Sequence, residues 1–177
     1  PVTAVLLNYR AYDTLLELAV LLAAVLGVLI AGPARPALPA ASPIVNFLVS
    51  FLVPLLVLSA GYLLWVGAHA PGGAFQAGSL LAAAGVVMHL SGRPVCGLPQ
   101  GGALRLLLIS GMAAFLLVGL MTLLDHGVLL QYPQAWAGQL ILFIELFATL
   151  AIAATLVLCY LGGRPPGWSS KQELGRD

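Results

Sequence analysis

The chain has very little charge. Asp, Glu, Lys and Arg make up 7% of its 177 residues, against roughly 25% in soluble domains. A soluble protein of this size needs a charged surface to stay dispersed. Most of this surface therefore faces something other than water, and lipid is the simple candidate. Cysteine is equally scarce. Cys96 and Cys159 sit at no metal-ligand spacing and make no disulfide framework. Thiols of this kind in apolar helices are usually inert small hydrophobes. The net charge is only +1, which leaves no basic field to attract nucleic acid. Chemistry-bearing motifs are missing as well. No nucleophile–base pair or cofactor motif appears, and Gly72-Gly73 lacks the Lys and Ser/Thr of a phosphate-binding loop.

What is there is apolar. Hydrophobic residues make up 61% of the chain, and its mean hydropathy is +1.05. A membrane helix needs about 20 mostly apolar residues, because the hydrocarbon core is about 30 Å thick. Five runs qualify: Ala11 to Ala31, Ile44 to Val66, Ala74 to Ser91, Ala103 to Leu124 and Ala137 to Leu161. Pro33, Pro36 and Pro39 break the chain after the first run, and Pro54 is expected to kink the second. The runs are continuous, with no period-two alternation, so the expected fold is all-α with about five transmembrane helices rather than a barrel. Residues 32–43 read as a linker and 162–177 as a polar tail. Pro1 to Leu7 reads like the end of a longer apolar segment, so a further upstream helix is expected.

Orientation follows from the basic residues. Arg35, Arg93, Arg105, Arg164, Lys171 and Arg176 fall on one side of the five spans, and only Arg10 on the other. The positive-inside rule then places the C-terminus in the cytoplasm, with the His69 and Asp125-His126 loops outside. Trp65, Tyr132, Trp136 and Tyr160 fall near span ends, at headgroup level. Ala77, Gly78, Ala82 and Gly85 in the third run allow close backbone approach, which predicts a helix buried between neighbours.

Ionisable groups at membrane depth are costly, from about 2.5 to well over 10 kcal/mol, and are functional candidates for that reason. Asp13 and Glu17 lie four residues apart, on one face of the first helix. Such a pair can hold a cation or share a proton. Alternatively Asp13 caps the helix and pairs with Arg10, and Glu17 is hydrogen-bonded to a neighbour. Glu145 stands about two turns into the fifth helix, with no Lys or Arg at its depth. It is either protonated or partnered by another subunit. Its expected roles are a proton or sodium relay, an intersubunit contact, or simply a hydrogen-bonded acid. His89, near the far end of the third helix, can snorkel or relay protons. Two loop histidines, His69 and His126, with Asp125 do not have a spacing that demands a metal.

The most distinctive string is Gly67-Ala68-His69-Ala70-Pro71-Gly72-Gly73-Ala74-Phe75-Gln76-Ala77-Gly78. Pro71 stops helical continuation and Gly72-Gly73 permit positive φ, so the next helix starts abruptly with free N–H groups. Such an N-terminus favours a nearby anion or carbonyl. The bland reading is a tight interfacial turn. As a string it resembles the Pro-Gly-Gly-Gly-Phe loop of the MnhB/MrpB subunits of Mrp-type sodium/proton antiporters, and of the matching subunit of membrane-bound hydrogenases. Ala74 replaces the third glycine. The resemblance runs from about Val45 to Leu161 and includes Leu142-Phe143-Ile144-Glu145.

A second resemblance covers Val2 to Glu17, through Asn8-Tyr9-Arg10-Ala11-Tyr12-Asp13-Thr14-Leu15-Leu16-Glu17. It is similar to a stretch of the C-terminal part of the large MrpA subunit and of the small MbhE subunit, with Leu16 in place of a glycine. The expected organisation is thus an MbhE-like segment over 1–31 joined to an MnhB-like four-helix domain over 44–161. These resemblances imply a subunit of a multi-subunit cation/proton antiporter in the cell membrane, moving sodium and protons with antiporter-like large subunits and small helical subunits. Asp13, Glu17, Glu145 and His89 are the ion-path candidates, and Pro71, Gly72, Gly73 and Phe75 form the structural loop. The alternatives are the membrane arm of an ion-pumping oxidoreductase, with redox chemistry in other subunits, and a scaffold.

Overall fold

The computed structural model describes residues 11–31, 42–67, 70–92, 98–99, 101–126 and 136–163. Every element among them is helical: α1 (Ala11–Ala31), α2 (Pro43–Val66), α3 (Ala74–Leu90), α4 (Gly102–His126) and α5 (Ala137–Leu161). The all-α expectation holds, and four of the helices are long and apolar enough to cross a membrane. α3 has 17 residues, about 25 Å at 1.5 Å per residue. That is short of the hydrocarbon core, and the reason is local: Ser91 and Gly92 close the helix with a turn, Gly92 at φ 85°. α4 runs past Leu124, so Asp125 and His126, expected in a loop, belong to its last turn. His69, Tyr132 and Cys96 lie outside the described residues.

Local signals fix the helix ends. Ser42 caps α2, its hydroxyl accepting the Val45 N–H, and Pro43 occupies the first helical position, where its missing N–H is harmless. Gly162 ends α5 in the left-handed conformation at φ 74°, its N–H reaching back to Leu158 and Cys159.

The packing sets each helix direction. Leu18, Phe115, Val118, Ile144, Ala148 and Ile152 form one buried layer. Val25, Leu104, Leu108, Val157, Leu158 and Leu161 belong to a second. Leu18 precedes Val25 as Ile144 precedes Leu158, so α1 and α5 run parallel, while α4 passes between the layers in reverse. α3 also runs parallel to α5: Gly78 lies against Thr149 and Ile152, and the His89 ring meets Tyr160. Alternating directions of this kind are what five successive spans require.

Little hydrophobic force acts between helices in lipid, so close backbone approach does the assembling. A Cβ on Gly78 would stand 2.8 Å from Ile152 Cγ2, and one on Gly111 would stand 3.0 Å from Ala148 Cα. Ala77, Gly78, Ala82, Ala84 and Gly85 are buried, as expected for α3. α2 is peripheral, with Phe47, Phe51, Leu58, Tyr62 and Trp65 exposed along it.

Candidate functional site

The Pro71-Gly72-Gly73 loop is fixed to the end of α2 by backbone contacts. The Leu63 carbonyl accepts both the Gly67 and Gly73 N–H groups, each at 3.1 Å. A Cβ on Gly72 would lie 2.5 Å from that carbonyl oxygen, and one on Gly67 would lie 2.6 Å from the Gly73 nitrogen. Only glycine permits this approach. Gly73, at φ 118°, then opens α3 without any side chain to cap it. The Ala77 N–H bonds the Gly73 carbonyl. The three amides before it, on Ala74, Phe75 and Gln76, therefore have no acceptor within the helix. Phe75 is exposed beside them.

Glu145 meets this uncapped end. It projects from α5, is 6% exposed, and its carboxyl group stands beside the Ala74 N–H, level with it because Gly78, one turn on from Ala74, lies against Thr149, one turn on from Glu145. The sequence leaves it protonated or partnered by another subunit. The structure adds a neighbour within the chain, because α3 begins beside the second turn of α5. Thr149, one turn on, turns its hydroxyl to the Glu145 backbone carbonyl at 2.7 Å. The sequence shows a helix N-terminus that favours an acceptor and an acid with no cation at its depth, but nothing in it joins the two. Their common depth on parallel helices was the missing link.

His89 occupies the other end of the α3–α5 contact, about 22 Å away at 1.5 Å per residue from Ala74. It is 2% exposed, so it does not snorkel. Its ring packs edge-on against Tyr160 with centroids 5.8 Å apart, and among the described residues its Nδ1 has no hydrogen-bond partner. Between the two ends Gly78 and Ile152 pack too closely for water. A crevice lined by Leu18, Leu21, Leu22, Leu108, Met112, Ala151, Ile152 and Thr155 has about 10 Å³ of free room, enough for about one water molecule. Among the described residues the seam between His89 and Glu145 is closed at Gly78 and Ile152.

Glu17 stands apart from this interior. Leu18 shares a layer with Ile144, so Glu17 and Glu145 lie at one level of the helix bundle. Glu17 points the other way and is exposed, while Asp13 is half-buried in the first turn of α1. Leu16 and Val20 are exposed beside Glu17. The structure thus does not bring the acids together. Asp13 and Glu17 belong to the outward side of α1, Glu145 to the α3–α5 seam. Among the described residues no cluster of three or more His, Cys, Asp or Glu forms a metal site.

Parallel apolar helices with glycine-mediated contacts and acids at span depth define a polytopic α-helical membrane subunit. A family model described as "Domain related to MnhB subunit of Na+/H+ antiporter" matches residues 44–163. The chain belongs to that family, as the Pro71-to-Phe75 string implied. Its fold is similar to part of a chain in "Structure of Mrp complex from Dietzia sp. DQ12-45-1b", at 26% identity and a TM-score of 0.67. That match covers 96% of this chain and 21% of the other, so this chain spans about a fifth of that polypeptide. It also shares the fold of a chain in the membrane-bound sulfane sulfur reductase, an archaeal respiratory membrane complex. There the TM-score is 0.75 and the identity 24%, covering 93% of this chain and 78% of that one. Comparison with curated proteins gave no match.

Proposed function

We propose that this chain is a membrane subunit of a multi-subunit sodium/proton antiporter complex. In this reading it seals the bilayer beside the ion path and contributes Glu17 to that path from the outward side of α1. One observation carries the reading: an ionisable side chain at span depth is exposed, while the described helices pack tightly on one another at Gly78–Ile152 and Gly111–Ala148. An exposed carboxylate in hydrocarbon is expensive. In the complex it faces another subunit, water or a cation. Asp13, one turn away on the same face, is the natural second group for a cation or shared proton. Among the described residues Gly78 and Ile152 close the seam between His89 and Glu145, so in this reading neither hands protons to the other.

The organisation proposed is an MbhE-like segment over 1–31 joined to the MnhB-like domain, with the C-terminus in the cytoplasm as the basic residues direct. The chain carries no chemistry of its own and acts beside larger antiporter-like subunits. A second reading takes its support from the fold shared with the sulfane sulfur reductase complex. The same module then serves an ion-pumping oxidoreductase whose redox centres belong to other subunits.

Purification from native membranes through an affinity tag on this chain tests the proposal. Antiporter-like large subunits are expected to co-purify, and the vesicles to exchange sodium for protons. Co-purified iron–sulfur subunits would favour the second reading. Recovery of the chain with no other membrane subunit would overturn both.

A further inference from the structure

We infer that Glu145 is a positioning residue: its carboxyl group caps the N-terminus of α3 from α5 and so holds the Pro71-Gly72-Gly73 loop in place, outside the ion path. The observations are geometric. α3 starts at Gly73, which offers no capping side chain. Its free amides therefore need an acceptor from elsewhere. Glu145 is 6% exposed and stands level with Ala74, since Gly78 and Thr149, each one turn further on, lie against each other; its carboxyl group faces the Ala74 N–H. A negative group or hydrogen-bond acceptor is favourable there because the helix dipole is positive at its N-terminus.

No cation competes for that carboxyl group among the described residues. The basic side chains that are described, His89 on α3 and Arg105 on α4, belong to the opposite end of the bundle. Leu104, next to Arg105, shares a layer with Leu158 and Leu161. From α4 the Glu145 level presents Phe115 and Val118, and from α1 Leu18. Glu17 shares the level but is exposed on the far side of α1. Ala74 itself packs against this layer.

The loop is thereby anchored at both ends. Gly67 and Gly73 are both bonded to the Leu63 carbonyl of α2 and Ala70 to that of Val66, and Gly73 leads into the amide that Glu145 faces. Without that contact α3 would keep its small-residue packing on α5, but its first turn and the loop before it would lose their hold on α5. This inference concerns the fold of the chain within whatever complex it serves, and its hydrogen-exchange readout does not depend on what that complex transports.

The test compares Glu145→Gln with Glu145→Leu in the purified complex. Glutamine keeps a carbonyl acceptor and cannot carry a proton; leucine keeps neither. Hydrogen exchange is followed in the peptide covering Ala74 to Gly78. The cap predicts that Gln retains near-native protection and transport, whereas Leu speeds exchange at Ala74 by about tenfold or more. If Leu prevents assembly, the Gln variant still decides the matter. Transport abolished by Gln, with native protection and intact assembly, would make Glu145 an ion-path acid and overturn the inference. Unchanged Ala74 protection in an assembled Leu variant would also overturn it.

Discussion

The carboxyl group of Glu145 stands beside the backbone amide of Ala74, at the point where α3 begins against the parallel helix α5. Seventy-odd residues separate them in sequence, yet each answers a need that the other creates. The helix end has no side-chain cap of its own, and among the described residues no cation stands beside the buried acid. The contact places the glycine loop between a backbone anchor on α2 and a side-chain anchor on α5.

The backbone anchor is the more sensitive to added volume. Gly72→Ala puts a methyl group 2.5 Å from the Leu63 oxygen, and neither group can rotate away. We expect a loss of roughly 1–3 kcal/mol, read as a lower melting temperature of the complex in detergent. Gly27→Ala is the control, because nothing lies within 4 Å of a Cβ there. Equal melting of the two variants would contradict the loop geometry.

Gly78 gives the corresponding test of the α3–α5 seam. Its Cβ would meet Ile152 Cγ2 at 2.8 Å and Ile152 Cβ at 2.9 Å. Gly78→Ala is expected to destabilise by about 1–3 kcal/mol. Adding Ile152→Ala removes the Cγ2 clash and keeps the Cβ contact, so partial recovery is predicted. A double variant less stable than both single ones would show that the helices are not in this register.

His89 is predicted to be dispensable for transport. Its Nδ1 is buried with no partner among the described residues, and replacing such a group with an apolar one of similar volume is close to neutral. His89→Leu should assemble, melt within about 1 kcal/mol of the parent and exchange ions normally. Loss of exchange from an intact His89→Leu complex would make the imidazole a relay.

Most of the fold was legible in the sequence because a membrane helix is set by run length alone. The five runs became five helices, with α3 stopping at Leu90 and α4 reaching His126. Burial of α3 could be read from Ala77, Gly78, Ala82 and Gly85, since small residues pack where backbones meet. The site was less legible. Glu145 and Ala74 lie on different helices, and only the parallel course of α3 and α5 brings them to one level. For His89 the sequence left open a snorkelling side chain; helix rotation instead turned it inward onto Tyr160. Nor does spacing reveal which side of α1 packs inward. Leu18 and Val25 turn in and Glu17 turns out, a choice made by α4 and α5.

Sodium/proton exchange by vesicles carrying Glu17→Gln, with the complex shown to be intact, tests the central claim most directly. An amide neither neutralises a cation nor gives up a proton at this site. If ions pass along the outward side of α1, exchange falls by about tenfold or more while subunit composition stays unchanged. Exchange at the parental rate would place the ion path elsewhere and reduce α1 to a packing element.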